Sequence, residues 1–233
     1  MEIASSDGFI DGIYNYCDRW CEKCVSTSKC RNYAFNPENH ELSEEDTFEY
    51  LSNVFKATIL MLDDMAKEMG IDLSEIDDSV IEEGSEPFQD HLTRFAKDTS
   101  DEIHDWFESV DPTTGMKIYD TLKQVGNNST RYTYSLEVIS WYLFFTTIKL
   151  ERAVSSLSDE DYAEYTKNDS DGSAKVALIG LDRSIAAWAI AMEQRPEYED
   201  IILNFLIKLA RIRSVAEKRF PDARGFFRPG LDE

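Results

Sequence analysis

The sequence predicts an all-α protein: a helical bundle of about five longer helices carrying an N-terminal four-cysteine metal-binding segment. Three observations predict it. Apolar residues recur three and four apart through most of the chain after residue 43, the period of an amphipathic helix. Strand-like alternation is nearly absent, with Arg131–Tyr134 the one weak instance. All four cysteines fall between Cys17 and Cys30, spaced C-x3-C-x2-C-x5-C. Residues 1–40 are therefore expected as a metal-binding segment packed on a body of residues 41–233.

Met1–Gly8 is expected to fray. Gly12–Cys24 is expected as a short helix, followed by a loop to His40, in which Asn36-Pro37-Glu38-Asn39 is turn chemistry. The first body helix spans Glu44–Met69. Ser43 caps it, Phe48, Leu51, Phe55, Ile59, Leu62, Met65 and Met69 form its stripe, and Gly70 stops it. Ile71–Glu86 is acidic and expected as a loop or a single turn. Pro87 suits the first turn of a helix running to Val110, which Asp111-Pro112 ends. A shorter helix covers Met116–Val125, stopped by Gly126-Asn127-Asn128.

Thr130–Leu157 is apolar around most of its circumference, the mark of a central helix. Ser158 opens a short acidic helix to Tyr165, and Lys167–Gly172 is expected as a loop. Ser173–Glu193 reads as a helix with a small-residue edge of Ala177, Gly180, Ser184 and Ala187, which lets a neighbour approach closely. Pro196 begins the last helix, which runs to Arg219. The tail from Phe220 to Glu233 is expected to be irregular, with Phe226 and Phe227 docked on the body because large apolar rings are costly to leave in water.

Four thiolates suit a tetrahedral zinc ion or one iron–sulfur cluster. On a helix through Gly12–Cys24, Cys17, Cys21 and Cys24 would fall within about 60° of one another, and Cys30 would close the site from the following loop. Cys17 and Cys24 would then stand roughly 10 Å apart along the axis. A single zinc with bonds of about 2.3 Å cannot span that unless the helix ends near Cys21, whereas a four-iron cubane needs less distortion. A [4Fe–4S] cluster is thus the first expectation for Cys17, Cys21, Cys24 and Cys30, and zinc the alternative. Disulfides rank lower. Met1–Gly12 has no basic start and no apolar run, which predicts a cytoplasmic chain with reduced thiols. Arg19, Lys23, Lys29 and Arg31 interleave the cysteines and favour thiolates. Tyr14, Tyr16, Trp20, Tyr33 and Phe35 flank them and are expected to anchor the segment.

The run Cys21-x2-Cys24-x5-Cys30 resembles that of oxygen-sensing iron–sulfur transcription regulators and of iron–sulfur nucleases of DNA repair. Both place a fourth cysteine far away, where this chain has Cys17 four residues upstream. The nucleases carry Pro where this chain has Val25. The likeness covers ten residues and implies a cluster type. Tyr14–Cys24 also resembles the cysteine segment of uncharacterised bacterial helical proteins, which implies no activity. C-x3-C-x2-C is similar to the radical-SAM run, but a fourth nearby cysteine and the lack of strands set that aside.

The formal net charge of −22 argues against general binding to nucleic acid or anionic membranes. The charge is uneven. Glu38–Asp111 holds 23 acidic and 4 basic residues, and Lys208–Arg228 holds 7 basic and 2 acidic. The acidic stretch is first a solvated face; its sharper use is docking a basic protein partner. No apolar run reaches membrane-spanning length. His40, His91 and His104 lack the Glu-x-x-His pairing of a di-iron bundle and are expected at the surface. Glu137 and Asp182-Arg183 sit on apolar helices and are expected as buried ion pairs, with a catalytic carboxylate as the alternative. No phosphate loop, nucleophile elbow or dinucleotide fingerprint occurs. The expected function is metal binding, with a [4Fe–4S] cluster in redox sensing or electron transfer, and no catalysis is required by these residues. The alternative is a zinc-stapled helical module that meets a basic partner through the acidic face.

Overall fold

The computed structural model describes residues 8–10, 12–34, 56, 87–125, 130–157 and 163–232. The chain divides into two compact units, one of Met1–Ile10 and Cys24–Glu86, the other of Asp11–Lys23 and Pro87–Glu233. The expected helix over Glu44–Met69 and the stretch Ile71–Glu86 lie outside the described residues, apart from helical Lys56.

In the first unit the described chain is a set of tight turns. A 3₁₀ turn covers Thr27–Lys29 and a one-turn α-helix covers Arg31–Ala34. The Ile10 amide donates to the Lys29 carbonyl at 3.0 Å, and the Arg31 guanidinium lies 5.8 Å from the Phe9 ring centre.

The second unit is an all-α bundle of α1 (His91–Glu108), α2 (Ile118–Val125), α3 (Thr130–Ser155), α4 (Ala163–Gln194) and α5 (Glu199–Arg219). Among the described residues there is no strand beyond one isolated bridge, Val110 to Lys117. None of these helices is long and apolar enough to cross a membrane. Arg131–Tyr134 is helical, because α3 buries Tyr132, Leu136 and Ile139 at helical spacing.

Three boundaries move for local reasons. α1 starts at His91, not Pro87: the Asp90 side chain accepts from the Leu92 amide at 2.8 Å and caps it. Pro87 belongs instead to a turn in which Phe88 has φ 64°. Pro196 opens a 3₁₀ turn, Pro196–Tyr198, ahead of α5. The expected loop Lys167–Gly172 is helical, an early part of α4. Tertiary contacts override the Asn, Asp, Ser and Gly there. Arg152 on α3 holds Asp169 through both carboxylate oxygens, the Ser156 hydroxyl donates to Asp169 at 2.9 Å, and the Ser170 hydroxyl donates to the Ala153 carbonyl at 2.8 Å.

α3 and α4 form the main interface. Its closest point is Gly180, where an added Cβ would stand 2.6 Å from Thr146 Cγ2 and 2.9 Å from Tyr142 Cδ1. The expected small-residue edge is buried there, with Ala177, Ser184 and Ala187. α1 joins α3 through the Ser100 hydroxyl, which reaches the Leu143 carbonyl at 2.6 Å and Thr147 Oγ1 at 3.0 Å. Trp106, Phe107, Trp188 and Phe205 fill the space between α1, α4 and α5, with ring centres 5.4–6.1 Å apart. In the tail Phe226 packs edge-on against Tyr16 at 4.8 Å, and Lys175 binds both the Phe226 carbonyl and Asp232. Phe227 does not dock; it is 57% exposed.

Candidate metal centre

Residues 12–23 form turns, not the expected helix. The helical part is a 3₁₀ turn at Cys21–Lys23. Gly12 (φ 73°) and Arg19 (φ 58°) are left-handed, which no right-handed helix accepts. The bundle imposes this path by taking up the segment's backbone carbonyls. The Trp141 indole donates to the Asp18 carbonyl at 3.0 Å, and the Lys149 ammonium donates to the Asn15 carbonyl at 3.1 Å. A carbonyl so engaged is drawn away from an intrahelical partner.

Asp18 is the centre of this anchorage. Its Oδ1 accepts from the Trp20 amide at 3.2 Å. Its Oδ2 accepts from the Tyr142 hydroxyl at 2.5 Å and from Arg183 at 2.7 Å, and Arg183 also donates to the Tyr142 hydroxyl. Burial, then the hydrogen bond to Asp18, pushes the Tyr142 phenol up, so it stays protonated and donating. Trp20 is 8% exposed and stacks on Trp141 at 5.1 Å and Tyr134 at 6.1 Å. Trp20 and Tyr16 thus act as the expected anchors.

Cys17, Cys21, Cys24 and Cys30 form no disulfide and are half-buried. Cys17 and Cys21 belong to the helical unit, Cys24 and Cys30 to the other. The Cys17 thiol donates to the Tyr14 carbonyl at 3.6 Å. Burial pushes this thiol up, and the Arg19 backbone and the charges of Arg19 and Lys149 offset that only in part. Lys149 is itself buried, which lowers its ammonium. The Cys24 sulfur accepts the Ser26 amide at 3.4 Å. Among the described residues no group of three or more His, Cys, Asp and Glu side chains is gathered in a metal-holding arrangement.

The other candidates fall elsewhere. Glu137 is not buried: it meets Lys23 at 3.5 Å with both side chains 49% exposed. Asp182 and Arg183 do not pair with each other. Asp182, partly exposed, takes Arg213 and Arg224, while Arg183 goes to Asp18. Successive helical residues point about 100° apart, which explains the separate partners. His91 and His104 are exposed, as expected, and His40 lies outside the described residues. The sequence reading missed Asp18, Tyr142 and Lys149. For Tyr142 and Lys149 the available signal was polar residues at buried stripe positions of an apolar helix. No protein-family profile, curated protein or solved structure matches the chain.

Proposed function

We propose that the chain is a metal-binding protein whose ligands are Cys17, Cys21, Cys24 and Cys30, and that it holds a [4Fe–4S] cluster used in redox sensing or electron transfer. The observation that carries this is four cysteines outside any disulfide in one C-x3-C-x2-C-x5-C run. The donor set suits the group, since thiolates are the usual ligands of such clusters. A cluster, when bound, supplies one-electron exchange. The chain's own part is to fix Cys17 and Cys21 through Asp18, to direct an amide at the Cys24 sulfur, and to bring the positive charge of Arg19 and Lys149 near Cys17.

One observation favours a second reading, a zinc staple in a module that meets a basic protein partner. The axial separation that weighed against a single ion required an unbroken helix, and residues 12–23 are turns. Turns let thiols close in sequence converge on one ion.

Protein purified without air is examined by absorption and by elemental analysis. The first reading expects a broad band near ~400 nm with about four irons per chain; the second expects a colourless protein with about one zinc. Neither metal at stoichiometric level overturns both. Cys21→Ser is expected to lower metal content in either case. In the zinc case stability falls with it; in the cluster case the bundle core survives. Unchanged metal content would remove Cys21 from the site.

A further inference from the structure

The groove between α1 and α5 is lined by two arginines with no carboxylate partner among the described residues. Its volume is about 400 Å³, within the usual range for small-molecule sites. The floor is apolar: Leu92 and Ile212 are buried, and Phe95 and Val215 complete it. Two arginines line it, Arg94 and Arg211. Acidic residues outnumber basic ones by 46 to 24 in this chain, so a guanidinium easily finds a carboxylate. Arg213, Arg219, Arg224 and Arg228 each have one within 3.2 Å. Arg94 and Arg211 have none among the described residues.

Both are nevertheless held in place by contacts that leave their charge unneutralised. Arg94 donates to the carbonyls of Phe88, at 3.5 Å, and Gln89, at 2.9 Å. The left-handed Phe88 lies in the turn that presents those carbonyls. The Arg211 guanidinium lies 5.4 Å from the Phe95 ring centre. His91 lies at the same end, and Asp98 is the one carboxylate in the lining. Pre-placed cations over an apolar floor recognise a negative head group on an apolar tail.

We propose that this groove binds a small amphipathic carboxylate, with its head group on Arg94 and Arg211 and its aliphatic tail on Phe95, Ile212 and Val215. The proposal is independent of the cysteine segment.

The test titrates octanoate into the full-length protein, with octan-1-ol as the neutral probe of similar tail, followed by calorimetry and by amide chemical shifts. Octanoate is expected to saturate with Kd on the order of 1 mM. Its largest shifts should fall at residues 94–98 and 211–215, and affinity should fall as salt rises. Octan-1-ol should bind at least about tenfold more weakly. Arg94→Gln with Arg211→Gln should weaken octanoate by at least about tenfold. Lys218→Gln, which removes one positive charge from α5 outside the groove lining, should not. Both arginines are at the surface, and an unchanged unfolding midpoint confirms that the double variant is folded. Equal binding of octanoate and octan-1-ol would overturn the proposal. So would shifts centred elsewhere, or full affinity in the double variant, or no saturable binding.

Discussion

Gly180→Ala tests the close approach of α3 and α4. An exposed helical glycine replaced by alanine gains about 1 kcal/mol from propensity. At Gly180 the new methyl would stand 2.6 Å from Thr146 Cγ2 and 2.9 Å from the Tyr142 ring, so something must move. Neither neighbour is free. Thr146 donates to the Tyr142 carbonyl at 3.0 Å and would lose that bond on rotating. Tyr142 is fully buried, and its hydroxyl is tied to Asp18 and Arg183. Overpacking costs about 1–3 kcal/mol, and the pinned neighbours place this site near the upper end. The net expectation is a loss of about 2 kcal/mol. Urea unfolding followed by circular dichroism measures it. Thr146→Ser removes the clashing methyl, so the double variant should recover at least about 1 kcal/mol relative to additivity. Gly225→Ala is the control: no atom lies within 4 Å of its added Cβ, and the change should stay within about 1 kcal/mol. A Gly180→Ala protein as stable as the parent would refute the close-packing account.

Two further predictions concern charge. Hydrogen bonds from Arg228, and then from Lys175, hold the Asp232 carboxyl well below the usual carboxylate range. A pKa depressed by folding gives stability that is full above the unfolded value of about 3.9 and fades as pH falls through the folded one. Asp232→Asn should therefore cost about 1 kcal/mol near pH 7, with solvent screening allowed for, and the gap to the parent should shrink below about pH 4. A gap independent of pH would show that the carboxylate charge is not what the tail contact uses. Glu137→Gln should change stability by no more than about 0.5 kcal/mol, because its pair with Lys23 is half exposed; a loss above about 2 kcal/mol would mean a buried pair after all.

The helical class and most helix positions among the described residues were legible in the amino-acid sequence. These depend on periodicity and on short-range signals such as the Gly180 edge and the Asp111-Pro112 stop, which are written locally. Tertiary structure decided what competes with local preference. Residues 12–23 became turns because Trp141 and Lys149, more than a hundred positions away, take up their carbonyls. Gly172 sits within a helix because the Tyr16 and Phe226 rings occupy the place of its missing side chain. Asp169 and Ser170 stay helical because α3 supplies their partners. Asp182 and Arg183, adjacent in sequence, point to different parts of the chain and find different partners. In each case a partner distant along the chain satisfies a polar group, or fills a space, that the neighbouring residues would have handled otherwise. Only the folded chain brings that partner close.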